Sequence, residues 1–138
     1  MKIFVDANIL VAVLNKEYPI FPYAARVLSL TANKNYDIIT SPVCLSIAFY
    51  FAEKRFNAVI AKQKINLLVK HISIANCGEK EVKSSIANKK IHDFEDGVQY
   101  YAAINSKCNT IVTENINDFY FSDIEVLTCE SFLKNHFK

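Results

Sequence analysis

The chain has 138 residues, of which 51% are hydrophobic, and its formal net charge at pH 7 is +2. A chain of this length usually forms one compact unit, so we expect a single domain over residues 1–138. A charge this close to zero gives no overall electrostatic reason to expect nucleic-acid binding, although it leaves room for a local site.

The first predicted elements are a strand and two helices. Residues 2–5 are mostly β-branched or aromatic, which predicts a buried strand, and a short helix follows over residues 8–15. Pro19 and Pro22 are interpreted as a break in the pattern. The apolar spacing that follows predicts a helix over residues 23–33.

The middle of the chain continues the alternation of strands and helices. Ser41 followed by Pro42 predicts a helix start, because serine caps a helix N-terminus and proline suits the first helical turn. Hydrophobic periodicity predicts four elements in this part: strand 36–40, helix 42–55, helix 56–70 and strand 71–75.

The last part of the chain completes an α/β pattern. The predicted elements are a charged, exposed helix 78–90, helix 93–106, strands 109–113 and 124–128, and a closing helix 129–138. Strands that alternate with helices favour a parallel sheet covered on both faces. We therefore expect a three-layer α/β/α fold around a central parallel sheet of about five strands.

Carboxylates follow the predicted strands at the edge where such sheets bind ligands. Asp6 follows the first strand and Asp118 the fourth. Asp93 and Asp96 open a helix three residues apart, so they share one helix face. We expect Asp6, Asp96 and Asp118 to converge, with Asp93 beside them. Clustered carboxylates repel one another, and a hard cation such as Mg²⁺ or Mn²⁺ relieves that repulsion and can activate water toward phosphorus.

Each of these charges also has a purely structural interpretation. Asp93 is placed to cap its helix, and Asp118 to begin a turn, so both alternatives stay open beside the metal site. Glu95 faces away from the acidic helix face and is expected in solvent, as is Glu114. A basic group is interpreted as a solvated face, with contact to phosphates as the alternative: Lys54, Arg55, Lys62 and Lys64.

The cysteines indicate the compartment. The four cysteines lack the close spacing of a zinc site, and without a secretion signal we interpret them as reduced, mostly buried thiols of a cytoplasmic protein. The apolar N-terminal stretch is interrupted by Asp6 and Asn8, which argues against a signal peptide or a membrane span. No other segment is apolar for long enough to cross a bilayer, so we expect no membrane contact.

Three motifs, in order, resemble the PIN domain family. The family opens with a strand that ends in Asp, with an Asn two residues on, and this pattern is similar to MKIFVDANIL. Its later acidic helix resembles DFEDGVQYYAA, its fourth-strand block resembles TIVTENINDF, and its last strand and helix resemble IEVLTCESFL. The matching residues are Asp6, Asn8, Asp96, Thr113, Asn115 and Asp118.

The resemblance implies a metal-dependent endoribonuclease similar to the bacterial VapC-like toxins. It implies Mg²⁺ or Mn²⁺ as cofactor, RNA as substrate, an antitoxin protein as partner, and a homodimer. Asp6, Asp96 and Asp118 would be the catalytic residues and metal ligands, with Asp93 in support. Residues that would orient these carboxylates or their waters by hydrogen bonds are Asn8, Ser46, Thr113 and Asn115.

One departure from the family motivates an alternative function. Family members usually carry a Glu in the helix after the second strand, and here no acidic residue precedes Glu53. Ser46 or a neighbour stands nearest that position and supplies no charge. Because ligand charge helps to set metal affinity, the alternative is a catalytically degenerate PIN fold that binds RNA or protein.

A third class is a phosphatase or phospho-acceptor domain. Such domains also place an Asp after a first strand and a Ser or Thr after a later one, as Asp6 and Thr113 do here. Against this class, Asn8 replaces their second Asp, and no lysine stands in an equivalent place. Stable labelling of Asp6 by a phosphoryl donor would favour it.

Overall fold

The computed structural model describes residues 1–137, which contain five strands and seven α-helices. The strands are β1 Lys2–Val5, β2 Asp37–Thr40, β3 Ser73–Ile74, β4 Thr110–Val112 and β5 Glu125–Leu127. The helices are α1 Ala7–Leu14, α2 Phe21–Ser29, α3 Pro42–Arg55, α4 Ala58–Val69, α5 Glu79–Ala87, α6 Phe94–Asn105 and α7 Cys129–His136. None of these helices is both long and apolar enough to span a membrane.

The five strands form one parallel sheet in the order β3-β2-β1-β4-β5. Along the chain, β2 and then β3 extend the sheet on one side of β1, and β4 and then β5 extend it on the other side. The topological switch point, where an open α/β sheet leaves a crevice for ligands, therefore lies between β1 and β4. The predicted three-layer α/β/α fold is confirmed.

The hydrophobic core is centred on β1. Ile3, Phe4 and Val5 are fully buried, as expected for a central parallel strand with helices over both faces. Phe4 pairs with Ile39 of β2 on one side and with Ile111 of β4 on the other. This register brings the carboxyl ends of β1 and β4 to the same edge of the sheet.

Side-chain caps define several helix starts. Ser41 Oγ accepts a 3.0 Å hydrogen bond from Cys44 N, and α3 begins at Pro42 as predicted. Asn57 Oδ1 accepts a 2.9 Å bond from Ile60 N at the start of α4. Such caps satisfy backbone N–H groups that have no partner inside the helix.

The bounds of several elements differ from the prediction, most clearly those of α2 and β3. Helix α2 begins at Phe21, with Pro22 inside its first turn, so the interpretation of Pro22 as a break was wrong. The helical path then tightens into a 3₁₀ turn over Leu30–Ala32 instead of continuing as one α-helix. Strand β3 is only two residues long, which is ordinary for an edge strand with a single neighbour.

Helix α5 was predicted to be exposed, and its outer face is, but its other face packs along α6. Its inner face buries Glu81 and Ser85. Glu81 is stabilised there by hydrogen bonds that its two oxygens accept, at 2.8 Å from Gly78 N and 2.5 Å from Asn105 Nδ2. These bonds lower the pKa of Glu81 and keep it ionised inside the contact.

Candidate active site

Asp6 lies directly after β1 at the switch point of the sheet. Its backbone N–H donates a 3.0 Å bond to Val112 O, the last residue of the neighbouring β4. Its Oδ1 accepts a 2.8 Å bond from Ala7 N and thereby caps α1. The carboxylate is therefore held between two strand ends and a helix start.

Thr113 holds the other oxygen of Asp6. Thr113 Oγ1 donates a 2.8 Å hydrogen bond to Asp6 Oδ2 and accepts bonds of 3.1 Å from Asn8 Nδ2 and from Asn115 N. One donation and two acceptances use the full capacity of a hydroxyl group, which leaves it one orientation. Asn8 is held in turn, because its Oδ1 accepts a 3.2 Å bond from Glu114 N.

The three predicted catalytic carboxylates meet in one open cavity of about 330 Å³. Asp6 comes from the end of β1, Asp96 from the first turn of α6, and Asp118 from a 3₁₀ turn over Ile116–Phe119 after β4. The cavity is lined by Asp6, Ala7, Asn8, Val11, Glu17, Ile47, Phe51, Glu95, Asp96, Asn115 and Asp118. Residues more than 110 positions apart in the chain thus share one site.

Burial raises the pKa of the Asp6 carboxyl above its usual value. The hydrogen bonds from Thr113, Ala7 and Cys44 act in the opposite direction but do not offset the loss of solvation, and the charge of Asp118 adds to the increase. Within residues 1–137, ionised Asp6 therefore has no ion pair with a basic side chain.

Burial also raises the pKa of Asp96, to about 7. The negative charges of acidic neighbours raise this pKa further, and their effects decrease in the order Asp93, Asp118, Asp6 and Glu95. A cluster of carboxylates that disfavours its own ionisation is the electrostatic setting that a bound cation would relieve.

Two residues predicted for the site do not line the cavity. Asp93 is exposed and caps α6, where its Oδ1 accepts a 3.2 Å bond from Asp96 N, and it does not line the cavity. Ser46 is exposed and also lies outside the lining, so its role at the site stays a prediction. The next residue, Ile47, occupies the cavity wall instead, because one step along a helix rotates the side chain by about 100°.

Glu95 is exposed to solvent, as expected, and it also lines the open cavity beside Asp96. Its backbone precedes Asp96 in the first turn of α6, where the helix faces the open side of the cavity. With Glu95 and Glu17, five carboxylates line the cavity. The spacing in the sequence predicted that Glu95 faces away from Asp96. Both residues nevertheless line the cavity, which therefore extends around the start of α6.

Cys44 is a site neighbour that the sequence did not reveal. Its Sγ lies 3.8 Å from Asp6 Oδ1, within reach of a weak S–H donor. Burial raises the pKa of Cys44 to about 12, so the thiol keeps its proton beside the carboxylate. A buried hydrogen bond from Ser41 Oγ to Gln99 Oε1 fixes the helix start that carries Cys44.

The donor set fits a hard cation only in part. Within residues 1–137, no three His, Cys, Asp or Glu side chains lie close enough together to hold a metal ion among themselves. Mg²⁺, however, usually binds one or two carboxylates and keeps several waters. The oxygen donors of Asp6 and Asp96, both with raised pKa, suit that mode of binding.

Solved structures share the fold of this chain. VapBC2 from Rickettsia felis, bound to a DNA fragment from its promoter, aligns with a TM-score of 0.69 at 20% identity, over 92% of this chain and 97% of that one. VapBC-1 from nontypeable Haemophilus influenzae aligns with a TM-score of 0.69 at 19% identity, over 94% of this chain and 99% of that one. VapC20 from Mycobacterium tuberculosis, a sarcin–ricin loop cleaving toxin, aligns with a TM-score of 0.66 at 14% identity, over 89% of this chain and 98% of that one.

Sequence comparisons identify the family. The sequence model of a protein family, described as PIN domain, matches residues 2–117 of this chain, a span that includes Asp6, Asp96 and Thr113. Ribonuclease VapC1 of Aquifex aeolicus is 30% identical over 135 residues, which cover 95% of this chain and 92% of the relative. The order of strands, the position of Asp6 at the switch point and these matches lead to one conclusion: this chain belongs to the PIN domain family and is VapC-like.

Proposed function

We propose that this PIN domain is a divalent-metal-dependent endoribonuclease that hydrolyses RNA phosphodiester bonds. The observation that carries the proposal is the meeting of Asp6, Asp96 and Asp118 in one cavity at the switch point of the sheet. The similarity to a ribonuclease, VapC1, and to a toxin that cleaves an RNA loop, VapC20, supports RNA as the substrate class.

In this proposal Asp6 and Asp96 hold Mg²⁺ or Mn²⁺, and Asp118 completes the acidic wall. When bound, such a cation stabilises negative charge on phosphate oxygens and makes water more acidic. Thr113 and Asn8 hold Asp6 Oδ2 in one orientation. Asp118, which is exposed, can accept the proton of the attacking water.

The direct test is cleavage of RNA in the presence of Mn²⁺. Asp6→Asn and Asp96→Asn should each abolish cleavage while the circular dichroism spectrum stays unchanged. Asp123→Asn is the matched control, because this exposed carboxylate precedes β5 at the opposite edge of the sheet. Wild-type rates in both site variants would remove Asp6 and Asp96 from the mechanism.

We further propose that the protein is the toxin of a toxin–antitoxin pair, acts in the cytoplasm, and pairs with a second copy of itself. The similarity to VapBC structures supports this role. Expression of the chain alone should arrest growth, and co-expression of an adjacent small open reading frame should relieve the arrest. Growth arrest that persists with Asp6→Asn would mean that toxicity does not come from the cavity.

A second candidate function is a catalytically degenerate module that binds RNA or a partner protein. Ile47 favours it, because an apolar side chain lines the cavity from the helix where the family usually carries a Glu. Calorimetric titration with Mn²⁺ separates the two functions. No heat at millimolar Mn²⁺, together with measurable RNA binding, would favour the degenerate module.

A further inference from the structure

A strip of mostly exposed aromatic and basic side chains leads out of the carboxylate cavity along α3 and on to α4. We define this strip by Tyr50, Phe51, Lys54 and Arg55 of α3, Phe56 directly after it, and the half-buried Lys64 of α4. It begins in the cavity, because Phe51 is one of the lining residues and lies one helical turn after Ile47. Arg55 lies one turn further along the same face.

The aromatic members of the strip are exposed to solvent. The exposed fractions are 49% for Tyr50, 45% for Phe51 and 39% for Phe56. The rings of Tyr50 and Phe51 contact each other edge to face, with centroids 5.3 Å apart at 83°. Exposed rings also occur elsewhere in the chain, so it is the position of these rings beside the cavity that suggests a ligand with flat apolar faces.

The basic members lie over these rings. Lys54 Nζ is 4.7 Å from the Tyr50 ring centroid, and Lys64 Nζ is 4.6 Å from that of Phe56. Arg55 Cζ is 5.6 Å from the Phe56 centroid. These are the cation–π pairs of the described chain, and all three fall in this strip. Each positive charge is thereby held close to an aromatic face.

The strip is also a local concentration of positive charge. Residues 50–64 contain four basic residues and one acidic residue, a net charge of +3, whereas the whole chain has +2. The rest of the chain therefore carries −1. The acidic cavity walls repel a polyanion, so the positive charge of the strip offers RNA an attractive surface directly beside the proposed site of cleavage.

We propose that this strip binds the single-stranded segment of RNA next to the cleaved phosphodiester, with Phe51 stacking on the nearest base. The proposal rests on the ribonuclease function above. Proteins bind single strands by stacking bases on aromatic side chains and by tracking the backbone with basic ones, and the strip offers both. Lys54, Arg55 and Lys64 contact phosphates, and Tyr50 stacks a second base.

The test measures binding of a fluorescent, short single-stranded RNA by anisotropy in metal-free buffer, so that cleavage plays no part. Phe51→Leu keeps an apolar side chain in the cavity wall but removes the ring, and it should weaken binding about tenfold, the effect of one lost stack. Phe51→Trp should restore binding. Lys54→Gln should lower the salt dependence, log K against log salt, by about 0.7.

Phe137→Leu and Lys134→Gln are the matched controls, because both residues are exposed on or after α7 and outside the cavity lining. They should leave binding within twofold of wild type. A duplex of the same RNA should bind more weakly than the single strand and should not respond to Phe51→Leu, because its bases are not free to stack.

Binding unchanged in Phe51→Leu and Lys54→Gln would overturn the strip proposal, as would failure of the wild-type protein to bind single-stranded RNA. If cleavage with Mn²⁺ persists in that case, the ribonuclease function stands alone. Cleavage absent from the wild type, with strip-dependent RNA binding intact, would overturn the ribonuclease function only. Loss of a dimer in Phe51→Leu, with normal RNA binding, would assign the strip to contact between copies and overturn the proposal.

Discussion

Thr113 Oγ1 donates a 2.8 Å hydrogen bond to Asp6 Oδ2 and so joins the ends of two strands that are 107 positions apart in the chain. The hydroxyl group has no freedom left, because Asn8 and Asn115 donate to it. Of the hydrogen bonds that act on Asp6, this one lowers its pKa the most. Thr113 is therefore the main support of the ionised carboxylate within the chain.

Removing this hydroxyl should weaken metal binding without unfolding the protein. Thr113→Val keeps the side-chain shape but leaves Asp6 Oδ2 without its donor, so we expect Mn²⁺ affinity to fall about 10–100-fold. Calorimetric titration measures the affinity. The matched control is Thr110→Val, which removes the 2.9 Å bond from Thr110 Oγ1 to Glu125 Oε1 at the start of β4. Equal losses in both variants would mean that the effect is one of general stability.

A carboxylate at position 47 should strengthen the site. Ile47→Glu adds a negative oxygen donor to the cavity wall, so we expect Mn²⁺ to bind about tenfold more tightly, because ligand charge helps to set affinity. The control is Ser46→Glu, which adds the same charge one residue away on the exposed surface. If the two variants bind Mn²⁺ equally, position 47 does not face the cation.

The stability of the metal-free protein should decrease as pH rises from 5 to 8. Burial and acidic neighbours raise the pKa of Asp96 to about 7 in the folded state, so folded Asp96 holds a proton that unfolded Asp96 has released. Thermal denaturation in chelator should give a melting temperature a few degrees lower at pH 8 than at pH 5.

The carboxylate responsible can be identified by substitution. Asp96→Asn has no proton to lose and should reduce this pH dependence, whereas Asp123→Asn should keep it. The part that remains in Asp96→Asn belongs to Asp6, whose pKa is also raised by burial. Glu81, whose pKa is lowered, loses its stabilising charge only below this pH window. Mn²⁺ should raise the melting temperature more at pH 8 than at pH 5. A wild-type profile that is flat between the two values would contradict the raised pKa of Asp96.

The close contact of α5 with α6 should not tolerate a larger residue at Gly97. A methyl group there would lie 2.8 Å from Ile91 Cγ2 and 3.1 Å from Ser85 Cβ. We expect Gly97→Ala to lower the free energy of unfolding by about 1–2 kcal/mol, because the clash outweighs the better helix propensity of alanine. Urea denaturation measures this change.

Gly78 provides the control for that prediction. A side chain at Gly78 would meet nothing within 4 Å, and serine is a favoured residue at a helix N-cap. Gly78→Ser should therefore change the free energy of unfolding by less than about 0.5 kcal/mol. A Gly97→Ala protein as stable as Gly78→Ser would show that the two helices can separate without cost.

The sequence was sufficient for the sheet and for the elements that deliver Asp6, Asp96 and Asp118, because alternating patterns and strand ends are local signals. The sequence did not predict which side of each helix faces the cavity. Ser46 and Ile47 are adjacent, and only the packing of α3 decides which one lines the site. Cys44 was missed for the same reason, since its contact with Asp6 exists only after α3 docks on the sheet.

The buried hydrogen bond between Ser41 and Gln99 has a mechanical consequence for the cavity. Ser41 precedes α3, which supplies Ile47 and Phe51, and Gln99 belongs to α6, which supplies Glu95 and Asp96. The bond therefore links the two helices that form opposing walls of the cavity. We expect loss of this bond to change the spacing of the two cavity walls, because it directly links the helices that carry them.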